Sequence, residues 1–277
     1  MPLQVNFGAR LEYNHGMDVT LIIPILLGWV SGLFVNYASD VLPQTRRFSQ
    51  PICPHCQAPF SWADYLTLHA CRACGRTRSL RTWLVQIFAV ASFSYFWLFP
   101  PKALGIPLGM IVLIYFGIIT VIDLEHRLIL HPTSLAGAIL GFIVGTFIYS
   151  KRDGLLIGAG WSLLGGAIGF GIMFLLYKIG ELVARYRARK MQAAGQGDDE
   201  EEALGGGDVY LAGVLGLMLG LPIISALVYG ALLGGLASII LIVALLVKRR
   251  YSGDALMTFI PYGPYYIIGA AFILFRP

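Results

Sequence analysis

Charge is what this sequence has least of. Only 13% of its 277 residues are Asp, Glu, Lys or Arg, about half the roughly 25% usual in a soluble domain. A fold that must cover itself with polar surface is excluded by that scarcity. Cysteine is also sparse, and all four copies fall in one polar loop. The first apolar segment lacks a basic leader and a clear small-residue cleavage site, so it reads as a retained helix and not as a removable signal. Transit-peptide character, a fixed-period repeat and a glycine-rich nucleotide motif of the soluble kind are missing as well.

What is present is apolar: 57% of the chain is hydrophobic and the mean hydropathy is +0.73. A helix needs roughly 20 apolar residues to cross a bilayer core. Eight segments qualify, at about 19–38, 82–99, 105–122, 133–150, 155–177, 209–227, 229–247 and 256–275. The expectation is an all-α integral membrane protein with about eight transmembrane helices and a small zinc-binding cytoplasmic loop module. Gly165, Gly166, Gly169 and Gly171 mark close helix contacts. Tyr262, Tyr265 and Tyr266 read as an aromatic belt.

An outside N-terminus puts fifteen of the 20 basic residues on the inner side, as the positive-inside rule favours. The net charge of +5 is therefore a signal of topology, with membrane lipid and not nucleic acid as the partner. The chain divides into an external tail and first helix (1–38), a cytoplasmic loop (39–81) and a seven-helix membrane core (82–277) with a second cytoplasmic loop at 178–208. Within that second loop a basic helical extension precedes an acidic, glycine-containing run, Gly195 to Glu202.

The first loop reads Cys53-Pro-His-Cys56, then fourteen residues, then Cys71-Arg-Ala-Cys74-Gly75. Two such knuckles supply four thiolates for tetrahedral zinc. Disulfides are the alternative, and a cytoplasmic location disfavours them. With all four positions filled by sulfur, the metal's role is structural. Gly75 allows the tight backbone after the second knuckle, and Arg72, Arg76 and Arg78 favour the thiolate form. His55 reads as a loop residue.

Asp123 follows the run Ile111–Ile122, and Asp208 follows Gly205-Gly206-Gly207. In the proposed topology one ends an inward helix and the other begins an outward one. Both then lie at the cytoplasmic membrane edge. Two carboxylates in close approach share a proton, which equips one as general base and the other as acid. An acid at a helix N-terminus is also an ordinary cap, so Asp208 has a bland explanation. Asp123 opposes its own helix dipole and has none. A proton- or ion-relaying transporter is a second reading, although it calls for carboxylates near the midplane. A methyltransferase without peptidase activity is a third.

At these residues the sequence resembles the prepilin peptidases, the bacterial type IV leader peptidases. The likeness runs over nearly the whole chain: Gly32-Leu-Phe-Val-Asn36 through Leu42-Pro43, the paired knuckles, Ile122-Asp123-Leu124-Glu125, and Ala203-Leu-Gly-Gly-Gly-Asp208-Val-Tyr-Leu211. The last is similar to the GxGD signature of presenilin-like intramembrane proteases. The resemblance implies a bacterial inner-membrane aspartic endopeptidase with Asp123 and Asp208 as its dyad. Its substrate would be a prepilin or pseudopilin with a short basic leader and a hydrophobic helix, cut on the cytoplasmic side, typically after glycine. Many family members also methylate the new N-terminus with S-adenosylmethionine. Tyr210 stands where the family commonly has Lys, Gln86 where it has an acid, and Pro132 lies further from Asp123 than the pattern expects. The first two bear on methylation and docking, and both carboxylates are retained.

Overall fold

The apolar runs fold as helices because a backbone in lipid must satisfy its own hydrogen bonds. A computed structural model describes residues 19–53, 55–193, 205–247 and 261–277. A 3₁₀ turn, Val19–Leu21, leads into α1 (Ile22–Thr45). There follow α2 (Trp62–Leu66), α3 (Leu80–Leu98), α4 (Gly105–His126), α5 (His131–Asp153), α6 (Leu155–Ala193), α7 (Gly206–Leu219), α8 (Ile223–Val247) and α9 (Gly263–Leu274). The described residues form no β-strand, only an isolated antiparallel bridge between Ile52 and Pro59.

Each expected apolar segment is mostly helical where described. Among the described residues five helices, α1, α4, α5, α6 and α8, are long and apolar enough to cross a membrane. The chain is a multi-pass membrane protein. α3 has the length, but Arg81 and Gln86 dilute its apolar character. α7 and α9 are apolar but short, with 14 and 12 residues. At about 1.5 Å per residue neither reaches the roughly 30 Å of a bilayer core.

Two boundaries differ from expectation. α1 continues seven residues past position 38, to Thr45. The expected span 209–227 is interrupted: α7 stops at Leu219, and α8 starts at Ile223. Gly220 adopts a positive φ of 65°, and Pro222 has no N–H with which to continue the ladder. The freed carbonyls at the end of α7 find side chains instead. Tyr149 Oη donates to Leu219 O at 2.6 Å, and Ser162 Oγ to Leu217 O at 2.7 Å. The basic extension of the fifth span is helical as expected, since α6 runs to Ala193. The N-terminal tail and the acidic run Gly195 to Glu202 lie outside the described residues.

The core centres on α7. Leu211, Leu215 and Met218 are at most 1% exposed and pack with Val112 and Ile119 of α4, Ile223 of α8 and Ala270 of α9. The approach of α6 to α7 is so close that a Cβ on Gly165 would stand 2.4 Å from Gly216 O. Outward faces carry bulky apolar groups, such as Leu232, Leu236, Ile239 and Ile240 on α8. That arrangement suits lipid as solvent. Of the three tyrosines expected as a belt, Tyr266 is instead 8% exposed and joins the core, in space left by Gly230 of α8. The face of α9 that bears it is turned inward.

Candidate active site and metal centre

The two knuckles fold alike. Gln57 N donates to Cys53 O at 2.8 Å, and Gly75 N donates to Cys71 O at 2.7 Å. Each fold needs a positive φ just after its second cysteine, 57° at Gln57 and 69° at Gly75. Glycine adopts this freely, whereas glutamine does so under strain. The knuckles face each other with Cys53 Sγ 3.8 Å from Cys74 Sγ and Cys56 Sγ 3.7 Å from Cys71 Sγ. All four sulfurs lie within 4.8 Å of one another, and none is in a disulfide. Tetrahedral zinc with metal–sulfur bonds of about 2.3 Å separates its sulfurs by about 3.8 Å. Donor set and spacing fit that ion, and the cluster can hold a metal.

Beneath the cluster Cys53 and Cys71 pack with Phe60 and Tyr65, and Tyr37 of α1 closes the group. The flanking arginines are engaged away from the sulfurs. Arg72 pairs with Asp64 at 2.7 Å, Arg76 Nη1 lies 2.6 Å from His55 Nδ1, and Arg78 stacks over Phe60 and Tyr65. They brace the module. Burial and the neighbouring Asp40 carboxylate push the Tyr65 phenol well above its ordinary range. It remains a donor, 2.5 Å from Asp40 Oδ2.

Asp123 lies in the last turn of α4 and is 5% exposed. Its carbonyl accepts from Arg127 N at 2.9 Å, which closes the helix with Arg127 in the left-handed conformation. Asp208 is in the first turn of α7 and is partly buried. The two acids, 85 positions apart in the chain, are brought to one place by α9, whose first residue lies against both Asp123 and Leu211, one turn along α7 from Asp208.

A third element completes this place, and sequence reasoning missed it. The first residue of α9, Gly263, lies directly against Asp123. A Cβ there would stand 2.4 Å from Asp123 Oδ2 and 3.4 Å from Leu211, one turn along α7 from Asp208. Asp123 is at the unfavourable end of its own helix but faces the N-terminal, positive end of α9. Among the described residues its buried Oδ2 has no hydrogen-bond partner, an orphan whose cost calls for explanation. A glycine between two prolines, Pro261-Tyr-Gly-Pro264, opening an apolar run was the available signal.

Tyr210, two residues after Asp208, points elsewhere, as the roughly 200° turn of two helical residues requires. It meets His131 edge-on at 5.7 Å and lines an apolar groove of about 810 Å³ among α5, α6 and α7. Gln86 is 1% exposed. Its Nε2 donates to Trp29 O at 3.0 Å, and its Oε1 accepts from Asn36 at 3.4 Å. The residue thus joins α3 to α1.

The sequence profile of the Type IV leader peptidase family matches residues 108–247, 140 of the 277. The chain belongs to that family. Two curated relatives are both called "Prepilin leader peptidase/N-methyltransferase". The one from Myxococcus xanthus (strain DK1622) is 26% identical over 238 residues, covering 79% of this chain and 62% of the relative. The one from Pectobacterium carotovorum subsp. carotovorum is 25% identical over 280 residues, covering 89% of this chain and 90% of the relative. No solved structure matches. The family profile takes in both Asp123 and Asp208, whereas the cysteine module and α9 lie outside it.

Proposed function

We propose that this protein is a membrane aspartic endopeptidase that removes the leader of type IV prepilins or pseudopilins, with Asp123 and Asp208 as its dyad. The observation that carries the reading is the junction of the α4 C-terminus, the α7 N-terminus and Gly263 around two carboxylates. One carboxyl, ionised, takes a proton from water as that water attacks the scissile carbonyl. The other, protonated, donates to the carbonyl oxygen. No covalent intermediate is needed. In the expected topology the acids lie near a membrane edge, where an extended backbone can reach them. The glycines before Asp208 keep side chains out of its way.

That edge would be on the cytoplasmic side of a bacterial inner membrane, since the loops on the same side as both acids in the expected topology carry fifteen of the 20 basic residues. The substrate's hydrophobic helix would dock among the spans while its basic leader reaches the cytoplasm. Cys53, Cys56, Cys71 and Cys74 would hold zinc, whose contribution is to fold the loop at 39–81. Both relatives' names include N-methyltransferase, so methylation of the new N-terminus, with S-adenosylmethionine as donor, belongs to the same reading.

One experiment tests it. Purified protein is incubated with a panel of prepilins, with and without S-adenosylmethionine, and the products are weighed by mass spectrometry. Leader loss is expected from the wild type and from neither Asp123→Asn nor Asp208→Asn. Cleavage by either variant at the wild-type rate would remove the dyad.

A further inference from the structure

Asp123 is useful as an acid only if the last turn of α4 is held against α7 and α9, and the turn's outer side shows what holds it. Glu125, two residues on and so on the opposite side of the helix, lies 2.9 Å from Arg81 Nε. Arg81 is in the first turn of α3, with 24% of its side chain exposed. It also forms an ion pair with Asp40 of α1 and donates from Nη1 to Asn36 Oδ1 at 3.1 Å. Asp40 is itself bound by Tyr65, beneath the cysteine cluster. On the other flank of Asp123, Ile122 is 1% exposed and packed against Ala38 and Leu42 of α1. Both neighbourhoods of the acid are therefore gripped by α1 and α3, one by apolar packing and one by charge.

We propose that Arg81 is a positioning residue for Asp123. Through Glu125 it braces the end of α4 from behind, and through Asp40 and Tyr65 it ties that end to the cysteine module. The inference rests on the dyad reading above. A guanidinium suits the role because its planar fork serves several acceptors at once, which an ammonium does not. Glu125 is two residues from a reacting carboxylate, so a small displacement there reaches the chemistry.

The test is steady-state kinetics with the full-length protein in lipid nanodiscs. The probe is a synthetic peptide with a lysine-rich leader, glycine at the cut bond and an apolar stretch. Misplacing a reacting group by about 1 Å costs on the order of 10²-fold. Glu125→Gln and Arg81→Gln should therefore each lower kcat by about 10- to 100-fold. KM should stay within about twofold of wild type, the pattern of an interaction felt only in the transition state. The double variant should be no slower than the slower single, because one brace cannot be lost twice. Arg81→Lys should recover only part of the rate. Metal content, measured by elemental analysis, should be unchanged in Glu125→Gln, which disturbs least. Wild-type kcat in Glu125→Gln, additive losses in the double variant, or a loss confined to KM would each overturn the brace; the last would mark Glu125 as a contact for the leader. Asp208→Asn is assayed alongside. If it stays active the dyad reading fails, whereas an inactive Asp208→Asn beside an unimpaired Glu125→Gln overturns the brace alone.

Discussion

Asp123 and Gly263 are the residue pair on which the site turns. The glycine's missing side chain is what lets the positive end of α9 meet the carboxylate. Gly263→Ala would put a methyl group 2.4 Å from Asp123 Oδ2, well inside contact distance. The expected result is a cleavage rate lower by about 100-fold in a protein that still inserts and purifies, read from peptide turnover and size-exclusion profile. At the knuckles the same residue type matters for a different reason. Gly75→Ala forces a Cβ into the left-handed region and should cost about 1 kcal/mol. Gln57→Gly relieves the equivalent strain in the other knuckle and should gain a comparable amount. Thermal unfolding of the two variants should shift in opposite directions.

Helix contacts set the next scale. α6 and α7 meet through Gly165, Gly216 and Gly220 at backbone contact distance, so any side chain there must separate the helices. Gly165→Leu should lower stability by about 1–3 kcal/mol or more and should slow cleavage, because α7 carries Asp208. Gly171, on the same helix with open space around it, should accept Leu with little change. A denaturation series comparing the two variants would separate packing from helix propensity. The break at Gly220 belongs here as well. It was written in Gly-Leu-Pro, but the apolar pattern runs straight through it, and hydropathy alone reads a longer span.

For the molecule as a whole, the metal module and the membrane core are coupled through α1, which packs on both. Chelation, or Cys71→Ser, should release about one zinc per chain and lower the unfolding temperature of the purified protein, because binding energy at such a site is folding energy. Elemental analysis and calorimetry would check this together, and an unchanged unfolding temperature would detach the metal from stability. The proposed pair of carboxyls should also give a rate that falls on both sides of a pH optimum, each limb belonging to the pair and to neither residue alone.

Composition alone was enough to place the chain in a membrane, since too few charges remain to face water. Spacing alone pointed to the metal, because two residues between cysteines is a local geometry that holds wherever the loop lies. The two acids could be picked out because each interrupts or opens an apolar run. Tertiary structure decided what surrounds them: Gly263 against Asp123, Tyr266 inside the core instead of at a lipid interface, Arg81 bridging three helices. None of these leaves a periodic trace, since each is a contact between residues distant along the chain. Such contacts depend on how helices lean on one another, and helix packing is set by the three-dimensional fit of whole faces.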